Sequence, residues 1–443
     1  MTPTTAPAAT VPPGPADPVD MAAMRADPLA FVTRMNREYG DLTSHVGDGE
    51  RIYLLHRPDL AKHVLKDNFA HYTKANTPDD AMLRPLLGNG LLTSDGAEWA
   101  RQRRLCAPAF RRTAVTAFDG IITEETHALL DRWRSAEPGS PLPVDHHLTS
   151  LTLAILTRAV LGVDLGAAGE GFGRAVDAAN RFMGHYVPDP DPDPQDTVLR
   201  RKGYVQARSF LQLVARTVIA SRRTTGPAAA GQDTLMDTMI GELDDIDLRD
   251  QVLTLIMAGH ETTAKALTWT LYLLDQHPAE AALIHAELDE VLAGRTPTAA
   301  DLPALVHCRR AIEEAMRLYP PVWLISRRAT RPDVIGGYEI PAGALVCVSQ
   351  WVLHRHPDHW ERPDDYVPAR FADPELPSHL YLPFGGGERT CIGRHFALVE
   401  ATLVLATLLQ SVHLTLEPGF PVEPEALVTL RPKHGMRMTV TPR

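Results

Sequence analysis

The 443-residue chain has few cysteines, few aromatic residues and a deficit of positive charge. Four cysteines are too few for the disulfide bonds that would stabilise a secreted protein of this length, which favours a reducing, cytoplasmic environment. The 44 Lys and Arg residues stand against 55 Asp and Glu residues, a formal net charge of −11. This balance argues against a nucleic-acid-binding protein, which would need a broad basic face.

The chain also lacks the features of a secretory leader and an uninterrupted apolar segment. Its first nineteen residues contain six prolines and no Lys or Arg, and we expect residues 1–20 to be disordered. The most apolar stretch, residues 252–274, has polar side chains at its centre, which would be costly in hydrocarbon. It therefore predicts a buried helix, and no contact with a membrane is expected.

Helical patterns dominate what is present. Long amphipathic helices are predicted at 97–108, 113–136, 147–161, 197–223, 247–275, 278–293 and 303–318. Short β-signals come later: a hairpin at 334–340, and a second one pairing 427–430 with 436–440. Residues 21–443 are thus predicted to form a single, mainly α domain with small β-sheets. Alternating prolines at 187–196 predict an exposed loop, which is equally compatible with a mobile lid over a pocket.

The segment 384–393 reads Phe-Gly-Gly-Gly-Glu-Arg-Thr-Cys-Ile-Gly and leads into an apolar helix predicted at 394–410. Consecutive glycines permit a tight backbone path, and Cys391 would lie at a helix N-terminus that favours a thiolate. One cysteine cannot form a structural zinc site, but it can be the single axial ligand of a haem iron. The alternative is a buried structural cysteine, against which the spacing of the Gly, Arg and Phe residues argues.

This segment resembles the haem-binding loop of the cytochrome P-450 family. The family pattern Phe-Gly-x-Gly-x-Arg-x-Cys-x-Gly is matched without departure by Phe384, Gly385, Gly387, Arg389, Cys391 and Gly393. The resemblance implies the cytochrome P-450 fold, a triangular helical prism around a buried haem. It also implies that Cys391 is the proximal thiolate of a haem b iron, that Phe384 packs near the sulfur, and that Arg389 pairs with a haem propionate.

Two further motifs follow the family's order. Glu314 and Arg317 share one helix face at an i, i+3 spacing, and Arg370 follows at the expected place. On its own this is a weak motif, usually a solvated surface pair. The resemblance implies instead a buried network of Glu314, Arg317 and Arg370 that fixes the loop before the cysteine.

The second motif, residues 258–263, lies in the apolar helix. The simplest interpretation of this motif is a core helix whose polar side chains have hydrogen-bond partners within the protein. The resemblance implies an oxygen-binding groove, in which Ala258 and Gly259 adjoin the haem while Glu261 and Thr262 hold water and relay protons. A zinc-protease motif would need a second His where Ala264 stands, so that interpretation fails.

Further haem contacts are implied at three positions. Trp99 and Arg103 share a helix face at an i, i+4 spacing, and both would meet a propionate. Many bacterial members of the family carry His where Trp99 stands, so the chain leans towards the branch that resembles fatty-acid hydroxylases. Arg327 matches another propionate-binding position, although Arg328 could compete for it. Several arginines would meet the need to neutralise two buried carboxylates.

These matches predict a haem-thiolate monooxygenase that uses O2 and two electrons to hydroxylate, epoxidise or oxidatively cyclise a hydrophobic small molecule. The favoured role is tailoring of a secondary metabolite, with fatty-acid hydroxylation as the alternative. A peroxide-driven enzyme and a non-catalytic haem sensor are rivals from other classes. Segment 78–92 is a possible cap over the substrate, and the predicted pocket residues are Leu253, Met257, Ala258, Val322, Leu324 and Val428.

The electrons are expected from NAD(P)H through a separate ferredoxin and ferredoxin reductase. Residues 98–112 hold five Arg and one Glu in a chain that is acidic overall, and Arg394 and His395 follow the cysteine. If Cys391 is proximal, both segments face the same side of the haem. A basic patch there would attract an acidic redox partner to what we expect to be a monomer.

Overall fold

The computed structural model describes residues 11–166, 168–184, 194–225, 234–373 and 375–443. Within these ranges the chain forms sixteen α-helices and twelve short β-strands. The helices are α1 (Met21–Ala26), α2 (Pro28–Tyr39), α3 (Pro58–Lys62), α4 (Pro78–Leu87), α5 (Gly96–Cys106), α6 (Arg112–Val115), α7 (Asp119–Arg134), α8 (Val144–Leu156), α9 (Ala168–Gly184), α10 (Pro194–Thr225), α11 (Leu235–Glu242), α12 (Asp245–Gln276), α13 (Pro278–Leu292), α14 (Val306–Leu318), α15 (Gln350–Leu353) and α16 (Arg394–Ser411). The strands are β1 (Leu42–Gly47), β2 (Glu50–Leu55), β3 (Tyr72–Thr73), β4 (Leu142–Pro143), β5 (Ile325–Ala329), β6 (Asp333–Ile335), β7 (Tyr338–Ile340), β8 (Leu345–Val348), β9 (Val412–Leu416), β10 (Pro424–Ala426), β11 (Leu430–Pro432) and β12 (Arg437–Pro442).

Helix α12 forms the centre of the helical body. Asp244 caps its start by accepting hydrogen bonds from the backbone N–H groups of Ile246 and Asp247, and Pro278 follows shortly after its end. Its 32 residues span about 48 Å at 1.5 Å per residue. Helices α8, α10, α14 and α16 pack around it, so most of its side chains are buried. This burial explains how a helix with polar groups at its middle lies in the core.

The sheets are small and lie beside the helices. A five-stranded sheet has the order β1-β2-β8-β5-β3, a three-stranded sheet the order β4-β12-β9, and two hairpins pair β6 with β7 and β10 with β11. The predicted hairpin at 334–340 is confirmed, with Gly336 and Gly337 at its turn. The second predicted hairpin is wrong, because β11 pairs back with β10 while β12 pairs with β9 and β4.

Three of the predicted helices differ from the observed elements, and the one predicted at 303–318 begins only at Val306. The helix predicted at 113–136 is two helices, α6 and α7, separated by a 3-10 turn at Thr116–Phe118. The helix predicted at 147–161 begins earlier, at Val144, and ends in a wider π-helical turn at Thr157–Leu161. Hydrophobic periodicity continues through such turns, which is why the sequence does not reveal them.

The N-terminal segment is ordered where it is described. Residues 1–10 lie outside the described residues, but the backbone from Pro12 to Val19 follows strand β1. Pro13 accepts a hydrogen bond from the N–H of Ser44 at 2.8 Å, and Val19 donates to Val46 at 2.8 Å. The prediction of disorder is wrong for this part, because the edge of β1 offers unpaired backbone groups that a proline-rich segment can cover.

The predicted loop at 187–196 lies mostly outside the described residues, and helix α10 begins at Pro194. Among the helices that are described, none combines the length and apolar character needed to cross a bilayer.

Candidate active site

A cavity of about 740 Å³ lies beside α12, a volume typical of a cofactor or ligand pocket. Its wall is built from α12, α9, α4 and α5, from the segments 321–327 and 426–429, and from the loop that carries Cys391. Most of the wall is apolar, with a small number of polar and charged side chains. The sequence-predicted residues thus meet at one place, although they come from distant parts of the chain.

The loop before α16 holds Cys391 towards this cavity. The N–H of Cys391 donates to the carbonyl of Phe384 at 2.8 Å, which closes the turn, and both residues line the cavity. Gly385 and Gly387 have φ values of +69° and +66°, a backbone conformation that favours glycine. A Cβ at position 387 would lie 1.8 Å from the carbonyl oxygen of Leu65, so only glycine fits there.

The acidity of Cys391 differs from the sequence expectation. Its side chain is exposed to the cavity, yet the surrounding protein keeps it away from bulk water. This burial raises the pKa of the Cys391 thiol, and the Gly393 N–H, Arg103 and Arg394 oppose the shift only in part. The start of α16 does favour a thiolate, as expected, through the Gly393 N–H, but burial outweighs this effect. A metal cation bonded to the sulfur would supply the charge that deprotonation needs.

An aromatic and two arginines line the cavity next to this loop. The Arg389 guanidinium lies 4.6 Å from the ring centroid of Trp99, and that of Arg103 lies 5.7 Å from it. Arg389 also donates to the carbonyl of Ser94 at 2.7 Å and to Asp95 at 2.5 Å. The i, i+4 spacing on α5 therefore brings Trp99 and Arg103 to one wall, together with Arg389.

Strand alternation separates the two candidate arginines of β5. Arg327 faces the cavity and is 8% exposed, whereas Arg328 points away and pairs with Glu50. Burial lowers the pKa of Arg327 to about 10, and the nearby Arg389 adds to this shift. Arg327 donates to the carbonyl of Ser326 at 2.8 Å, and no described carboxylate forms an ion pair with it.

Lys74 is a further cation at this wall that the sequence did not reveal. It is 9% exposed, and its Nζ donates to the carbonyl of Leu92 at 2.8 Å. Burial lowers the pKa of Lys74 to about 8; Asp79 opposes the shift, and Arg327 and Arg389 add to it. Nothing in the local sequence distinguishes this lysine from a surface one.

The four cations at the wall form a surplus of positive charge. These cations are Lys74, Arg103, Arg327 and Arg389. Of these four, only Arg389 forms an ion pair among the described residues. Buried cations normally have a partner. The wall therefore fits a ligand with two carboxylates, and the propionates of a haem satisfy this requirement.

On α12, the residues of the predicted oxygen groove line the cavity. The Thr262 hydroxyl donates to the carbonyl of Ala258 at 3.0 Å, so that its lone pairs remain available. A Cβ at Gly259 would lie 2.9 Å from a methyl group of Leu156 on α8. Close packing of α12 against α8 is thus a second reason for a glycine here, and Gly259 also lines the cavity.

Glu261 is held by two residues that the sequence did not predict. Asn180 on α9 donates its Nδ2 to one carboxylate oxygen at 2.5 Å, and the Thr429 hydroxyl donates to the other at 3.0 Å. Glu261 is 5% exposed, and all three side chains line the cavity. The partners lie 81 and 168 residues away in sequence, so no local pattern signals them.

The Glu314, Arg317 and Arg370 side chains lie in contact. Arg317 pairs with Glu314 through its Nε at 2.7 Å and an Nη at 2.9 Å, and Arg370 donates to Glu314 at 2.9 Å. Glu314 and Arg317 are fully buried. Arg317 also donates to the carbonyl of His354, whose ring accepts from the N–H of Leu382 just before the cysteine loop.

Five of the six predicted pocket residues line the cavity, namely Met257, Ala258, Val322, Leu324 and Val428. Leu253 does not, and its prediction is wrong. It is fully buried within the helix packing, while its neighbour Thr254 lines the cavity. Each helical residue turns about 100°, so the wall takes Thr254, Ala258 and Glu261 rather than Leu253. The predicted cap, residues 78–92, contributes several residues to the wall.

Comparison with known proteins gives the class of this one. The family model for cytochrome P-450 matches residues 19–437. Cyclooctatin synthase from Streptomyces melanosporofaciens is 33% identical over 450 residues, which cover 95% of this chain and 92% of the relative. Cyclooctat-9-en-7-ol 5-monooxygenase from the same organism is 32% identical and covers 88% of this chain and 86% of the relative. Protein LUTEIN DEFICIENT 5, chloroplastic, from Arabidopsis thaliana is 30% identical, covering 87% and 69%.

The chain belongs to the cytochrome P-450 family. It has the mainly helical fold of that family, and it is a cytochrome P-450 monooxygenase. The predicted family, fold class and enzyme class are confirmed.

Proposed function

We propose that Cys391 is the axial ligand of a haem b iron, and that the cations of the cavity wall bind the two propionates. The observation that carries this proposal is the arrangement of one wall, where a cavity-facing thiol adjoins four cations, of which only Arg389 has a carboxylate partner among the described residues. Phe384 and Gly385 shape the turn that presents the sulfur. The residues that would hold the cofactor are Trp99, Arg103, Ala258, Gly259, Arg327, Phe384, Gly385, Arg389, Cys391 and Gly393, to which Lys74 is added.

When bound, a haem with a thiolate ligand supplies the activation of O2 by two electrons. The protein supplies protons and excludes water. Glu261, held at the cavity wall, carries a proton, and the Thr262 hydroxyl holds the water that receives it. Because Thr262 donates its own hydrogen to the carbonyl of Ala258, its oxygen is free to accept a hydrogen bond from that water. The buried Glu314, Arg317 and Arg370 network fixes the loop that presents the sulfur.

The substrate we propose is a hydrophobic small molecule. The wall near α12 and α4 is largely apolar, with Met257, Val322, Leu324 and Val428 among its residues. Two relatives are named for the formation of cyclooctatin and for a monooxygenase reaction on cyclooctat-9-en-7-ol. Tailoring of a secondary metabolite by hydroxylation, epoxidation or ring closure is therefore the favoured role, ahead of fatty-acid hydroxylation.

We further propose that electrons come from NAD(P)H through a ferredoxin and its reductase. Arg112 near the start of α6 and Arg394 with His395 at the start of α16 are exposed. Burial lowers the pKa of His395, and Arg112 and Arg394 add to the shift, so these groups share one surface. This surface suits an acidic partner docking on a monomer. Four free thiols favour a cytoplasmic location.

The test of the ligand is a matched pair of Cys→Ser variants. The ferrous carbon-monoxide complex of the wild type should show the red-displaced Soret absorption of a thiolate-bound haem. Cys391→Ser should lose it, whereas Cys347→Ser, at a buried thiol 3.8 Å from the Ser326 hydroxyl, should keep it. A Cys391→Ser protein with an unchanged spectrum would refute the assignment.

Measurements of substrate turnover distinguish the proposed monooxygenase from a peroxide-driven enzyme and from a haem sensor. With ferredoxin, its reductase and NAD(P)H, the wild type should oxidise its substrate, and Thr262→Ala should divert electrons to free peroxide. A peroxide-driven enzyme would instead turn over with peroxide and not with ferredoxin. A haem sensor would consume no NAD(P)H with any ligand.

A further inference from the structure

The cavity wall contains a buried hydrogen-bond acceptor that no described residue satisfies. Asn180 is 1% exposed, and within the part of the chain that the structure describes its Oδ1 has no hydrogen-bond partner. When Glu261 is ionised, its carboxylate only accepts hydrogen bonds, so the Asn180 amide turns its Nδ2 towards it. The second carboxylate oxygen is already satisfied by the Thr429 hydroxyl. The Oδ1 of Asn180, on a side chain that lines the cavity, thus remains an acceptor with no donor among the described residues.

A second polar atom in the same wall is also unpartnered. Thr254 is 3% exposed, and its Oγ1 has no hydrogen-bond partner among the described residues. It lies two turns before Glu261 on α12, so both residues occupy one helix face. Their neighbours in the wall, including Met183, Leu255 and Met257, are apolar. Buried polar atoms are rarely left unpaired, because each one lost its hydrogen bonds to water on folding.

We infer that the substrate is a hydrophobic compound carrying a hydroxyl group, which donates a hydrogen bond to Asn180 Oδ1. The inference rests on the proposed function, since it takes this cavity to be the substrate site. Thr254 provides the second polar contact, accepting from or donating to an oxygen of the same compound. An apolar compound of equal size would fill the volume but leave the acceptor unpaired, and sites built around a polar group discriminate against such analogues.

Asn180 then has two partners, one on each side of its amide. Its NH2 group holds Glu261, the proposed proton carrier, and its carbonyl oxygen holds the substrate. Binding of an alcohol therefore orders the same side chain that positions the acid. This makes Asn180 a substrate-binding residue and a positioning residue for Glu261.

The test compares an alcohol with its methyl ether, which has nearly the same shape but no donor. Calorimetric titration of the haem-loaded protein with cyclododecanol and cyclododecyl methyl ether gives the ratio of their dissociation constants. One hydrogen bond to a buried acceptor predicts that the alcohol binds roughly tenfold more tightly. In Asn180→Leu this ratio should fall to about one.

The control is Thr429→Val, which also removes one donor from Glu261 but leaves the Asn180 acceptor in place. It should keep the preference of the wild type for the alcohol. A preference that survives in Asn180→Leu, or is lost equally in Thr429→Val, overturns the inference. An ordered water that satisfies Asn180 in the complex would instead give the wild type equal affinities for the two compounds.

The wild-type comparison stands even where Asn180→Leu does not fold, because it changes only the ligand. Equal affinity of the wild type for the alcohol and the ether overturns the inference directly. A normal carbon-monoxide spectrum combined with equal affinities refutes the alcohol site alone. Loss of that spectrum in the wild type refutes the proposed haem ligand instead, so the two failures are distinguishable.

Discussion

Replacing Glu314 by Gln tests how the buried ion network supports the site. The carboxylate accepts four hydrogen bonds: two from Arg317, one from Arg370 and one from the N–H of Val367. Gln keeps the shape but removes the negative charge, and its NH2 group would face a donor. Two guanidinium groups would then lie in the interior without a counter-charge. Breaking a buried ion pair in this way costs about 3–5 kcal/mol of the free energy of unfolding.

The assay is urea unfolding followed by tryptophan fluorescence and far-ultraviolet circular dichroism together. The Arg317 guanidinium lies 5.1 Å from the ring centroid of Trp360, which places an aromatic reporter at the network. Coincident transitions by the two probes are needed before a two-state free energy is derived. Retention of haem should fall as well, because Arg317 holds His354, and His354 holds Leu382 before the cysteine loop.

The matched control is the same substitution one residue earlier. Glu313 forms a single 3.6 Å ion pair with the exposed Arg309. Burial raises the pKa of Glu313, so a neutral isostere costs little there. We expect a change of less than about 1 kcal/mol for Glu313→Gln. If Glu314→Gln were no more destabilising than Glu313→Gln, the argument from the buried charge would be refuted.

Three further predictions concern the cavity wall. Arg327→Leu should speed loss of haem to apomyoglobin by roughly tenfold, the effect of one charged hydrogen bond, whereas Arg328→Leu should not, because Arg328 pairs with Glu50. Gly387→Ala should lower the free energy of unfolding in urea by at least about 1–2 kcal/mol, because of the positive φ alone. Gly386→Ala should be tolerated, because Gly386 lies in extended backbone. Equal effects of the two substitutions would contradict the loop geometry. Burial lowers the pKa of Lys74 from its ordinary 10.5 to about 8. Between these two pH values the unfolded chain therefore binds more protons than the folded chain. The free energy of unfolding of the haem-free protein should rise by about 3 kcal/mol as the pH increases across that window. Lys74→Met should lack this rise in a pH series of unfolding curves, and an unchanged rise would show that another group titrates.

The residues that the sequence predicted belong to contiguous patterns. The cysteine loop, the Glu314 and Arg317 pair and the α12 motif each lie within ten residues, where glycine chemistry and helical spacing constrain the geometry. The choice between Arg327 and Arg328 was also within reach of the sequence. Recognising 325–329 as a strand would have placed Ile325 and Arg327 on one face and Arg328 on the other, as β5 does.

What the sequence did not predict depends on contacts between distant elements. Asn180 and Thr429 meet only because α9 and the turn between β10 and β11 pack against the same stretch of α12. The predicted pairing of β11 with β12 failed for a related reason. Alternation predicts a strand but not its partner, and the buried Arg431 binds Glu425, which favours pairing back to β10.

The cations of the cavity wall link the cofactor to the stability of the fold. Without a counter-ion, desolvation lowers the pKa of both Lys74 and Arg327, so each keeps its charge in the folded chain at a cost. Two carboxylates at this wall would remove that cost and raise both pKa values again. Binding of the propionates should therefore stabilise the fold by more than the contacts of the porphyrin alone, and it should abolish the rise of stability with pH that the haem-free protein shows. The same charges that select a dianionic cofactor thus make folding depend on its presence.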